Sequence, residues 1–145
     1  MNSSRKTAVL CAAAGLALFV TACGKNSSST TTPTQTPAAP TTSERYLATI
    51  GVGGSGFYSF LVSQYGTVNV TLNAVSGLDD PSVGLGLGLG VPSGFGCSPS
   101  STVTASAGAS PQLTATDPIG VFCVRVYDVG NLTAPLTFDV TIAHP

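Results

Sequence analysis

The chain contains no tryptophan, one histidine and one methionine, and of its 145 residues only five are basic and six acidic. Average domains carry about a quarter charged residues, and each scarcity removes a class of function. A net charge of −1 offers nothing to the phosphate backbone of nucleic acid. The single histidine, His144, lies next to the C-terminal residue, where a frayed end would not orient a general base. No Gly-x-Ser-x-Gly elbow is present either, so the sequence assigns no catalytic residue and reads as non-enzymatic. Without tryptophan, a sugar-stacking face would have to rely on Tyr46, Tyr65 and Phe95. Charged side chains are absent from 46–78 and from 81–116, which leaves Ser, Thr, Asn and backbone to solvate the surface. The N-terminal apolar run, 8–20, covers 13 residues, short of the roughly 20 that a membrane-spanning helix needs.

What the chain does have begins with an address. Arg5 and Lys6, then the apolar run, then small residues make a tripartite secretory signal. At its end Val20-Thr21-Ala22-Cys23 resembles the lipobox of bacterial lipoproteins. The resemblance implies removal of 1–22, cleavage after Ala22 and lipidation of Cys23 as the first mature residue. More than one acyl chain is needed for stable anchoring, which is the physical purpose of such a cysteine. Gly24 follows it in place of Asp, which by the same resemblance implies passage to the outer membrane in an envelope that has one. Residues 23–44 then form a tether, because 14 of the 21 residues from Gly24 to Glu44 are Ser, Thr or Pro and cannot bury enough apolar surface to order themselves. Such a segment reaches between about 25 Å as a coil and about 65 Å as extended polyproline.

Residues 45–145 read as one all-β domain. In Thr67-Val-Asn-Val-Thr-Leu-Asn-Ala74 the side chains of Val68, Val70, Leu72 and Ala74 share one face and the polar residues the other. Similar runs occupy 46–52, 57–63, 83–91, 112–116, 121–127 and 136–143, with turn residues between most of them. Seven or eight such strands predict an antiparallel, jelly-roll-like β-sandwich. Gly51-Val-Gly-Gly-Ser-Gly56 matches the dinucleotide-binding glycine pattern, but the FYSFLVS that follows reads as a strand instead of the helix a pyrophosphate requires. A hairpin turn is the expectation there.

Two further features define the domain. In Ser82-Val-Gly-Leu-Gly-Leu-Gly-Leu-Gly-Val-Pro92 the period is two, so Val83, Leu85, Leu87, Leu89 and Val91 line one face while four glycines leave the other bare. Interior glycine often marks a close approach of other backbone. Segment 93–111, or a binding partner, is expected over that face; a simply exposed strand is the alternative. Removing the signal takes Cys11 and lipidation takes Cys23, so Cys97 and Cys123 remain to form a disulfide in an oxidising compartment. Closing about 27 residues would contribute about 3 kcal/mol. A two-cysteine metal site has no partner ligands beyond His144. Strand phase in Val121-Phe-Cys-Val-Arg-Val-Tyr127 puts Cys123 on the outer face with Arg125 and Tyr127, so the disulfide must draw the 93–111 segment, read as a long loop, across the outside of a sheet.

Gly66-Thr-Val-Asn-Val-Thr-Leu72, Asp79-Asp-Pro-Ser-Val-Gly-Leu85 and Gly120-Val-Phe-Cys-Val-Arg-Val126 together resemble the bacterial pre-peptidase C-terminal domain, a jelly-roll-like sandwich attached to secreted peptidases. The resemblance implies a calcium site near the acidic turn, with Asp79 and Asp80 as candidate ligands. Ser82 stands where the family has a further acid, and calcium wants six to eight oxygens, so weak or no calcium binding is expected and no other cofactor. The sequence thus reads as a lipid-anchored envelope protein with a non-catalytic binding or structural module, contacting an unidentified protein or polysaccharide. The alternative is a calcium-dependent accessory module acting on a peptidase or extracellular matrix in trans. Cys23→Ser is expected to abolish membrane retention; if the variant still fractionates with membranes after a salt wash, the lipobox reading is wrong.

Overall fold

The computed structural model describes residues 34–77 and 83–145. Eight antiparallel strands form: β1 (Thr42–Ile50), β2 (Ser55–Val62), β3 (Gly66–Ser76), β4 (Leu85–Ser93), β5 (Gly96–Ala105), β6 (Leu113–Asp117), β7 (Gly120–Asp128) and β8 (Leu136–His144). They make two four-stranded sheets, ordered β1-β8-β3-β6 and β2-β7-β4-β5. The chain changes sheet at every connection except the β4–β5 hairpin, the two-Greek-key arrangement of a jelly roll. Alternation drives the packing. Along β8 Leu136, Phe138, Val140 and Ile142 are buried while Thr137, Asp139 and Thr141 face outward, and β3, β4 and β7 add Val68, Val70, Leu72, Leu85, Leu87, Leu89, Val124 and Val126 to the same core.

Ordered structure reaches into the segment that composition assigns to the tether: β1 opens at Thr42, and Ala38 pairs with Gly66. The glycine-rich stretch after β1 is a turn, with Gly53 at φ 69° and Gly54 N–H donating to Gly51 O at 2.9 Å. It is not the expected hairpin, because β1 and β2 belong to opposite sheets.

The 93–111 segment also departs from expectation. Most of it is β5, paired with β4 from Leu85↔Ala105 to Ser93↔Gly96, with a bulge at Ser100 between Leu89 and Gly90. Gly-Cys-Ser-Pro-Ser-Ser carries no apolar alternation, so only the hairpin partner reveals it as a strand. This segment nevertheless covers the bare face as expected. Cys97 and Cys123 are joined, with Cα atoms 5.8 Å apart. They lie on β5 and β7, which flank β4, and strands one removed in a flat sheet would stand roughly 9.6 Å apart. The β4–β5 hairpin end is therefore bent up over its own sheet.

Each glycine of β4 has a specific cover. A Cβ at Gly86 would fall inside the Tyr127 ring, at Gly88 it would meet Pro99 Cγ at 2.7 Å, and at Gly90 it would strike Ser98 O and the Pro99 backbone. β4 is consequently buried on both faces from Leu85 to Gly90, with leucines toward the core and glycines beneath a second layer of chain, while Val91, expected on the same apolar face, is exposed past the bulge. Gly90→Ala is expected to cost about 3 kcal/mol, the upper end of overpacking, because the obstacle is backbone. Gly86→Ala should cost less, since the Tyr127 ring can swing away. Thermal melting of the two variants checks the order; a Gly90→Ala protein as stable as wild type would refute this packing.

Candidate binding face

The outer surfaces of the two sheets differ in chemistry. On the β1-β8-β3-β6 sheet, side chains bond to one another across strands. Arg45 makes a bidentate pair with Asp139, at 2.9 and 2.7 Å. Thr49 and Thr137 hydroxyls lie 2.8 Å apart, Asn73 donates to Thr141, and Thr114 donates to Asn69. Arg45 holds the Asp139 carboxyl below the usual carboxylate range through this hydrogen-bonded pair, and the guanidinium is raised in turn.

The β2-β7-β4-β5 face is built otherwise. Along β2 the outward residues are Phe57, Ser59 and Leu61, opposite Arg125, Cys123 and Val121 of β7. Leu61 and Val121 are 58% and 54% exposed as directly facing neighbours, and Phe95, at the tip of the bent hairpin, is fully exposed. Between that tip and β2 lies an open cavity of about 350 Å³. Phe57 and Ser55 line it on the β2 side, Phe95, Gly96 and Cys97 on the hairpin side, and Arg125 lies between. Arg125 makes no ion pair among the described residues. Its guanidinium carbon lies 5.3 Å from the Tyr127 ring centroid, and Nη2 donates to Ser55 Oγ at 3.3 Å, so the head leans toward β2.

The residues singled out from sequence are distributed unevenly. Cys23, Asp79 and Asp80 lie outside the described residues. Cys97 and Cys123 come together beside the cavity. Of the three aromatics named for carbohydrate, Phe95 alone is exposed: Tyr46 is half-buried, stacked on Tyr58 at 5.5 Å and edge-on to Phe138 at 5.0 Å, and Tyr65 is half-buried. Burial raises the Tyr46 phenol. Among the described residues no group of three or more His, Cys, Asp or Glu side chains could hold a metal ion.

His144 is not in a frayed end. It closes β8, is buried, and its Nε2 lies 3.0 Å from Glu44 Oε1, while Tyr58 OH donates to Glu44 Oε2 at 2.5 Å. That bond is the chief cause of the raised Tyr58 phenol. The other imidazole nitrogen lies 3.2 Å from Pro145 O, and Phe60 packs on the ring at 5.1 Å. Oriented as it is, the imidazole is spent on fixing β1 and the C-terminus against β2. Asp117 ends β6 with its carboxyl raised by burial and Oδ2 without a partner among the described residues.

Sequence reading missed Phe57, Leu61, Val121 and Arg125 as a group. One signal was present: in Phe57-Tyr-Ser-Phe-Leu-Val62 both strand faces are apolar, which in an antiparallel sheet argues that the second face is also covered. No family model and no characterised protein matches the chain by sequence. Among solved structures, the chain is similar to the crystal structure of Aeromonas hydrophila PliG, a periplasmic lysozyme inhibitor of g-type lysozyme. The two share 11% identity at a TM-score of 0.49, over 72% of this chain and 86% of that one.

Asp128, at the end of β7, ties the loops above the sheet together. Its Oδ2 accepts Gly53 N–H at 2.7 Å and its Oδ1 accepts the N–H groups of Gly130, Asn131 and Leu132 at 2.8, 3.0 and 3.2 Å. The Gly53 bond foremost, then the others, hold the carboxyl below its ordinary value. A lowered native value means that the stabilisation is complete above the unfolded value of about 3.9 and is lost as pH falls through the native one. Asp128→Ala should therefore lower the melting temperature at about pH 7, and its deficit against wild type should shrink toward about pH 2. A deficit independent of pH would contradict this assignment.

Proposed function

We propose that the protein is a lipid-anchored component of the cell envelope whose jelly roll is a non-catalytic binding module, with the β2-β7-β4-β5 outer face as its contact surface. The observation that carries the reading is the contrast between the two outer faces. One pairs Arg45 with Asp139, Thr49 with Thr137, Asn73 with Thr141 and Thr114 with Asn69, and exposes Leu47 as its one large apolar side chain among the described strands. The other leaves Phe57 and Phe95 exposed at a cavity with Arg125, which makes no ion pair among the described residues, and leaves Leu61 and Val121 exposed farther along the same two strands. Exposed apolar residues gathered on one face are a mark of interaction sites, and exposed aromatics with an arginine are the residue types that dominate interface energetics. The anchor rests on Cys23 and the signal before it.

The imidazole is buried in a structural network, and the acids for which hydrogen bonds are seen serve strand pairing and loop closure, which favours binding over catalysis. The calcium-dependent alternative rests on Asp79 and Asp80, outside the described residues, and nothing elsewhere favours it. A photo-cross-linking residue placed in cells at position 95 or 61 is expected to trap a partner, whereas one at 141, in the centre of the opposite face, is not. Adducts from 141 alone, or from none of the three, would sink the proposal.

A further inference from the structure

The contact surface adjoins a sheet edge that no strand covers among the described residues, and the four edges of the sandwich are not alike. β1 carries Glu44 and Arg45, β5 carries Pro99 and a bulge, and β6 has five residues. Charge, proline, bulging and shortness are the devices by which proteins prevent an edge from pairing. β2, Ser-Gly-Phe-Tyr-Ser-Phe-Leu-Val, has none of them over eight residues. Its C-terminal end is closed, where Ser63 N–H donates to Pro145 O at 3.1 Å, while at the other end the bond from Asp128 N–H to Gly54 O, at 3.0 Å, continues the ladder with β7 and leaves the outer edge open. What precedes that closure is an open length of strand of roughly 27 Å, with the Arg125 cavity on its outer side.

Resting on the binding-face reading above, we propose that β2 and the cavity together take an extended, carboxylate-bearing segment of a partner protein. The segment pairs as an added strand along β2, with one Asp or Glu side chain reaching Arg125. An added strand would stand about 4.8 Å from β2 and about 9.6 Å from β7. A glutamate or aspartate directed over Phe57 can close that gap, since the guanidinium already leans toward β2 through Ser55. Apolar neighbours two residues along the segment would pack on Phe57 and Leu61, because side chains on one strand face recur at that spacing. A second copy of this chain fits less well: β2 holds no acid, so self-pairing sets no carboxylate against Arg125. An acidic polysaccharide satisfies Arg125 but cannot use the alternating N–H and C=O groups of the edge.

The test is selection of a displayed library of random, roughly ten-residue peptides on the full-length protein held in detergent. Enriched peptides are expected to share one Asp or Glu within alternating apolar residues. Replacing that acid by its amide should weaken binding about tenfold or more, as befits loss of a charged hydrogen bond. Arg125→Gln should cause the same loss and abolish the difference between acid and amide, with Arg125→Lys retaining part of the affinity. Bound peptide should slow hydrogen exchange of β2 amides. Failure to enrich, enrichment without an acid, indifference to Arg125→Gln, or protection on another strand would each overturn the proposal. So would Arg125-dependent binding of polygalacturonate without β2 protection, which would assign the site to polysaccharide. Cross-links from positions 95 and 61 that persist alongside such a failure would leave the binding face standing and remove only the peptide; loss of both would remove the face as well.

Discussion

The architecture of the candidate face depends on one steric constraint, the absence of side chains on the outer side of β4. Two layers of chain can lie over a β-strand only where nothing projects from it. Gly86, Gly88 and Gly90 provide that clearance for Tyr127, Pro99 and the Ser98–Pro99 backbone. The bent hairpin, the reach of Cys97 to Cys123, and the position of Phe95 opposite Phe57 all follow from it. The cavity wall is thus a by-product of how a central strand is covered.

The two sheets carry different chemistry on their outer sides. The β1-β8-β3-β6 sheet carries the hydrogen-bonded outer array and, through Glu44 and His144, the fastening of the first strand to the last residues. The β2-β7-β4-β5 sheet carries the disulfide, the exposed aromatics and the unprotected edge. Both sheets contribute to one apolar core.

Much of this was legible from residue order, and the exceptions have physical causes. Strict alternation located β3, β4, β7 and β8, and strand phase alone placed Cys123 on the face where the disulfide is found. β5 escaped notice because proline and small polar residues do not read as a strand; at an edge with a bulge they are tolerated, and Pro99 becomes the lid over Gly88. Proximity to a terminus does not leave His144 exposed. In this topology the last strand is interior, between β1 and β3, and its final side chain points into the core. The grouping of Phe57, Leu61, Val121 and Arg125 was invisible because β2 and β7 are remote in sequence and their register is set by the whole fold.

The pairing of β1 with β8, Thr42 against His144 through Ile50 against Leu136, bears on the order in which the described strands can come together. β8 is the central seam between β1 and β3, and it follows every other described strand along the chain. Without it one sheet lacks the strand that joins its halves, and among the described strands β4–β5 is the one pair both consecutive in sequence and hydrogen-bonded. Almost all of the pairing therefore waits on contacts between remote segments, which are intrinsically slow to form, and the sandwich closes as a late, cooperative event when the two ends of the domain meet.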